Sequence, residues 1–131
     1  MNSSDRDELV RAAFDAQQRA YCPYSDFPVG AALRTASGKT YLGCNVENGS
    51  FGLTICAERV AAAASIAAGD REFVALVVAS RGGVTPCGAC RQFLAEFNPK
   101  LPIVMVDSLA PDKASESTLS ELLPGRFEGP Q

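Results

Sequence analysis

Two uninterrupted apolar runs, FVALVVAS at Phe73–Ser80 and PIVMVD at Pro102–Asp107, constrain this chain most. Neither alternates polar with apolar residues, so each reads as a strand buried on both faces. Strands of that kind need cover on two sides, and the remaining segments supply it. Residues Ser4–Ala20 carry apolar positions at roughly helical spacing, through Leu9, Val10, Ala13 and Phe14. Ser3 or Ser4 stands as the cap, with acids in the first turn. VGAALRT and KTYLGCNV flank ASGK, which is a hairpin signal. A second helix is expected from Cys56 to Ala68, where an alanine run favours helix and Gly69 stops it. A third is expected from Cys87 to Phe97, ending before Pro99, and TLSELLP reads as a short last helix. This order defines an α/β chain: a three-layer α-β-α sandwich with a mixed central sheet. Its 131 residues fit a single domain, 1–131, without internal repeat or linker.

The formal net charge is −3 and no Lys/Arg block is present. Duplex binding rests on phosphate neutralisation, so no nucleic-acid partner is expected. The N-terminus MNSSDRDELVRAAFDAQQRA is charged and amphipathic, without the apolar core of a signal peptide. No apolar run approaches the ~18–20 residues that span a bilayer, so no membrane partner is expected either. These features point to a cytoplasmic protein. There the five cysteines stay reduced, which favours metal binding or catalysis over disulfides. The chain has no histidine. Acid–base chemistry therefore falls to carboxylates, thiols or a metal-bound water.

Three of the cysteines stand at expected helix starts: Cys56, and the pair Cys87 and Cys90 in PCGAC. A helix N-terminus presents free N–H groups and a partial positive charge, and both favour thiolate. Two such termini at one end of a sheet would set three thiolates around one cation. Three protein ligands with an open fourth position is the pattern of catalytic zinc. On spacing alone, structural zinc, a redox pair and inert core cysteines stay open. Cys22 and Cys44 read as ordinary buried thiols. Glu58 lies two residues after Cys56. It is either a partner of the helix dipole or a base beside the cation, placed to take a proton from a water there.

The stretch CNVENGSFGLTICAER, followed by TPCGACRQFLAEF, resembles the short homotetrameric zinc-dependent cytidine deaminases of nucleoside salvage. The resemblance runs from YCPYSDFPVGAAL to LLPGRF, and the paired C-A-E and P-C-x-x-C motifs are specific to zinc deaminases. It implies one Zn²⁺ per chain on Cys56, Cys87 and Cys90, with Glu58 as the catalytic acid–base in hydrolysis of cytidine and 2′-deoxycytidine. It implies that Arg59 hydrogen-bonds the zinc cysteines, with Arg91 a weaker candidate. Asn45 and Glu47 match the pair that binds ribose hydroxyls, Phe27 an aromatic against the base, and the backbone of Ala57 a contact to the pyrimidine. Phe51 stands where relatives commonly carry tyrosine. Phe127 matches a C-terminal aromatic that enters a neighbouring subunit's site. A deaminase of a cytosine-containing antibiotic such as blasticidin S would share the zinc motifs, but NVEN and LTICAER favour cytidine. A non-catalytic zinc-stabilised module has no need of Glu58.

Overall fold

The computed structural model describes residues 1–130. Its elements are α1 (Ser3–Gln17), β1 (Gly30–Thr35), β2 (Thr40–Cys44), α2 (Ala57–Ala67), β3 (Phe73–Ser80), α3 (Gly88–Ala95), β4 (Pro102–Asp107), β5 (Ala114–Thr118) and α4 (Leu119–Leu122). The two apolar runs pair in parallel, Leu76 with Ile103 through Ser80 with Asp107. They stand inside a five-stranded sheet of order β2-β1-β3-β4-β5, in which the other pairings are antiparallel. The mixed sheet follows from the connections. A tight turn suffices for β1–β2, whereas β3 reaches β4 only through α3.

Each central strand sends alternate residues to opposite layers. Ala32, Ala75, Val77, Ala79, Val104 and Val106 face α1, where Leu9 and Ala13 complete a buried cluster. Ala31, Leu33, Leu76, Val78, Ile103 and Met105 face the other way, against Ala57, Ala61 and Ala62 of α2 and Leu94 of α3. That division is the three-layer sandwich. Two glycines let the helices approach. A Cβ on Gly30 would lie 2.0 Å from the Ala13 carbonyl oxygen, and one on Gly43 would lie 2.2 Å from that of Ala57. The first turn of α2 therefore rests directly on β2.

Several details differ from the sequence expectation, among them α3, which ends at Ala95, short of Phe97. Strand β5 was not anticipated. Its sequence, ASEST, lies on a sheet edge with its first three residues exposed, so no apolar alternation marks it. Helix α1 is capped by Asn2, whose side chain accepts from the Asp5 amide, in place of Ser3 or Ser4. It also ends at Gln17, short of Ala20. Gln17 is buried and its Nε2 donates to the Pro28 carbonyl at 3.2 Å and to Ser108 Oγ at 3.1 Å. Those two bonds anchor the loop before β1 to the far end of β4. Among the described residues, no helix is long and apolar enough to cross a membrane.

Candidate active site

Gly30 pairs with both Cys44 and Ala79, so the C-terminal ends of β2 and β3 lie at the same end of the sheet. Ligand sites of open α/β sheets form outside such ends. Helices α2 and α3 both begin there. The chain reaches α2 through a loop closed by reciprocal backbone hydrogen bonds between Val46 and Ile55, each 2.9 Å. It reaches α3 through Gly82 and Gly83, whose φ angles of +86° and +63° favour glycine. Cys56 is the N-cap of α2, Cys87 is the N-cap of α3, and Cys90 lies in the first turn of α3.

The three Sγ atoms lie within 4.8 Å of one another, and those of Cys56 and Cys87 are 3.8 Å apart. Zinc binds thiolate at about 2.3 Å, which puts sulfurs on a tetrahedral ion about 3.8 Å apart. The donor set and its spacing therefore fit zinc. Cys90 is buried and Cys87 is exposed, so the cluster has a closed side and an open one. Among the described residues, this is the one group of His, Cys, Asp or Glu side chains placed to hold a metal. Cys22 and Cys44 stand outside it. Both are half-buried, where the sequence reading had them buried.

Charge distributes unevenly across the three thiols. The Cys56 thiol is drawn down to about 5, chiefly by the hydrogen bond from Cys90 and then by Arg59. The Cys90 thiol is pushed up by that same bond to Cys56 and by burial, so it keeps its proton. Metal binding requires all three as thiolates and releases the remaining protons. Arg59 Nη2 donates to Cys56 Sγ at 3.6 Å. Its Nε is buried and has no hydrogen-bond partner among the described residues. Arg91 is placed differently: its guanidinium binds the Pro86 and Leu122 carbonyls, each at 2.7 Å, and Thr85 Oγ1 at 3.1 Å. It braces the approach to Cys87 and does not reach a sulfur.

Glu58 is 5% exposed, and burial, reinforced by the Cys56 thiolate, pushes its carboxyl up to about 7. It lines a cleft of about 250 Å³ together with Cys56, Cys87, Ala57, Phe27, Asn45 and Glu47. The sequence reading had singled out all seven. Ser25, Val29, Thr54, Val78, Val84 and Thr85 also line it and are not among the residues the sequence singles out. They sit on β3 and on loops, and nothing in their local sequence marks them.

Asn45 and Glu47 each hold the loop that carries Phe27. Asn45 donates to the Phe27 carbonyl and accepts from the Val29 amide, both at 2.9 Å. Glu47 accepts from the amides of Tyr24 at 2.9 Å and Ser25 at 3.1 Å, and from the Ser25 hydroxyl. The Ser25 hydroxyl, with those amides, keeps the Glu47 carboxyl below the usual carboxylate range. Phe51 lies in an adjoining hollow with Tyr24, their rings edge to face at 5.6 Å. Phe127 is not part of the cleft lining. Its carbonyl accepts from Gln92 Nε2 at 2.9 Å, and the residue is 72% exposed.

Three thiols that would hold a cation from one side, with a buried acid–base group beside them, are the equipment of a zinc-dependent hydrolase. Comparison with known proteins narrows that class. Residues 3–106 match the cytidine and deoxycytidylate deaminase zinc-binding region, and the chain belongs to that family of zinc-dependent deaminases. It is 47% identical to a probable cytidine deaminase of Dictyostelium discoideum, an alignment that covers 97% of this chain and 86% of that protein. It is 45% identical to the cytidine deaminase of Sporosarcina psychrophila, over 94% of this chain and 91% of the relative. Among solved structures, the cytidine deaminase of Burkholderia pseudomallei superposes with a TM-score of 0.89 at 43% identity. That match covers 97% of this chain and all of the other.

Proposed function

We propose that the chain hydrolyses free cytidine and 2′-deoxycytidine to uridine and 2′-deoxyuridine with release of ammonia, as a step of pyrimidine salvage in the cytoplasm. The observation that carries this reading is the buried Glu58 in one small cleft with Cys56, Cys87, Asn45 and Glu47, where the sulfurs of Cys56 and Cys87 cluster with that of the buried Cys90. When bound, zinc on Cys56, Cys87 and Cys90 supplies the Lewis acidity that makes a water nucleophilic near neutral pH. Glu58 is the only acid–base group needed. It accepts a proton from the attacking water, delivers it to N3 of the pyrimidine, and later protonates the departing amine. Water oxygen is added at C4, the C4–N bond breaks, and ammonia leaves. The N-terminal amides of α2 have no intrahelical partner, which suits the Ala57 backbone to a carbonyl of the base. Arg59 offsets the negative charge of the sulfurs.

The wall formed by Asn45 and Glu47 suits the sugar. A carboxylate offers about four acceptor directions, and the Tyr24 amide, Ser25 amide and Ser25 hydroxyl use three on Glu47. One remains for a ribose hydroxyl. The same carboxylate disfavours a phosphate. Cytidine and deoxycytidine are therefore expected to turn over readily and CMP poorly. The loss of cytidine absorbance on mixing reads this directly, and comparable kcat/KM for CMP and cytidine contradicts it.

The reading extends to a homotetramer with shared active sites. Its support is the cluster of exposed apolar side chains beside the cleft: Tyr21, Tyr24, Phe51, Leu53 and Ile55. Tyr24 and Phe51 are in ring contact, and exposed apolar surface that extends beyond single residues marks an interaction site. Phe127, projecting from the tail, is free to enter a neighbour's cleft. Sizing is expected to give four chains per particle. Glu58→Ala and Phe127→Ala chains, each of low activity, are expected to exceed the sum of the parents when unfolded and refolded together. A fully active monomer rules this out.

A further inference from the structure

We propose that Arg81 is a positioning residue for the substrate base, acting through Phe27 and Asp26. This rests on the reading above, in which the cleft takes cytidine with the Phe27 ring against its base. Arg81 follows directly on β3 and is exposed. Its guanidinium carbon lies over the Phe27 ring, 5.5 Å from the centroid, and its Nη2 donates to the Asp26 carbonyl. Asp26 has a φ of +52°, the one residue other than glycine with positive φ among those described. Left-handed backbone is uncommon outside glycine, although Asp tolerates it better than most. A turn of this kind persists where its surroundings hold it.

The inner side of the turn is held by hydrogen bonds to the Phe27 backbone. Asn45 Nδ2 donates to its carbonyl at 2.9 Å, and its amide donates to Ser25 Oγ at 3.1 Å. Neither bond fixes the ring. Arg81 supplies what they lack: a cation over the ring face and a donor to the carbonyl of the left-handed residue. Phe27 lines the cleft and Arg81 does not. The guanidinium thus acts on the base by holding the ring in place before substrate arrives, which spares the ordering cost at binding.

Steady-state kinetics of the zinc-loaded full chain test this. Arg81→Gln is expected to raise KM for cytidine by roughly three- to ten-fold, as loss of a cation–π contact and its ordering effect implies. Its kcat, zinc content and Tm should stay at parental values, because the side chain is exposed and outside the chemistry. In a Phe27→Leu background the same substitution should change KM little. An unchanged KM in Arg81→Gln, or the same fold-change with and without the Phe27 ring, overturns the role of Arg81 alone. So does a loss confined to CMP, which would mean direct contact with phosphate. If Phe27→Leu itself leaves KM unchanged, the placement of the base fails, and the proposal with it.

Discussion

Glu58→Gln is expected to keep its zinc and its fold and to lose most of its turnover. The amide has nearly the volume of the carboxyl, so the packing at the start of α2, where Glu58 is 5% exposed, is preserved. What disappears is the ability to take up and return a proton. General acid–base catalysis contributes roughly 10²–10⁴-fold for one transfer. In the proposed mechanism one group serves the attack, the protonation of N3 and the departure of ammonia, so the loss is expected at or beyond the upper end of that range. Metal analysis with kcat checks both halves. A variant with full zinc and parental kcat removes Glu58 from the mechanism. A variant that loses its zinc makes Glu58 a ligand instead.

Cys90→Ala is expected to lose zinc and with it measurable turnover. Cys90 is fully buried in the first turn of α3, and its removal leaves two thiols for the cation. Stability should fall as well, because a ligand bound only by the folded state stabilises it. At free zinc a thousand-fold above Kd, that linkage amounts to about 4 kcal/mol. The fold should nonetheless survive. The buried clusters on both sheet faces are built from the strands and all four helices, and none of the three cysteines belongs to either cluster. Circular dichroism of native shape with a lowered Tm and no zinc is the expected combination. Cys22→Ala and Cys44→Ala, outside the trio, should retain zinc and activity. Metal-free Cys90→Ala with full activity ends the assignment.

Much of this site was legible along the chain. The ligands lie at helix starts, and helix starts are written locally, in the residues that open an α-helical run. The same holds for the two apolar strands, whose lack of alternation announces burial on both faces. Strand β5 was not legible, because an exposed edge strand need not be apolar: ASEST is a strand through its pairing with β4. The difference between Arg59 and Arg91 was legible only in part. Both adjoin a cysteine-bearing turn, but only the direction of each side chain in space shows that Arg59 meets sulfur and Arg91 meets the Pro86 and Leu122 carbonyls.

The remaining lining of the cleft belongs to tertiary structure altogether. Ser25, Val29, Thr54, Val78, Val84 and Thr85 converge there because β1 begins, and β2 and β3 end, at the same side of the sheet. The left-handed turn at Asp26 and its clamp by Arg81 join residues 55 positions apart. By itself, then, the sequence determined the layers, the cysteine trio and its glutamate, since helix starts and two-sided strands are local patterns. Only the tertiary structure decided which side chains enclose the cleft and which arginine serves the sulfurs, because those depend on distances between segments that local patterning does not encode.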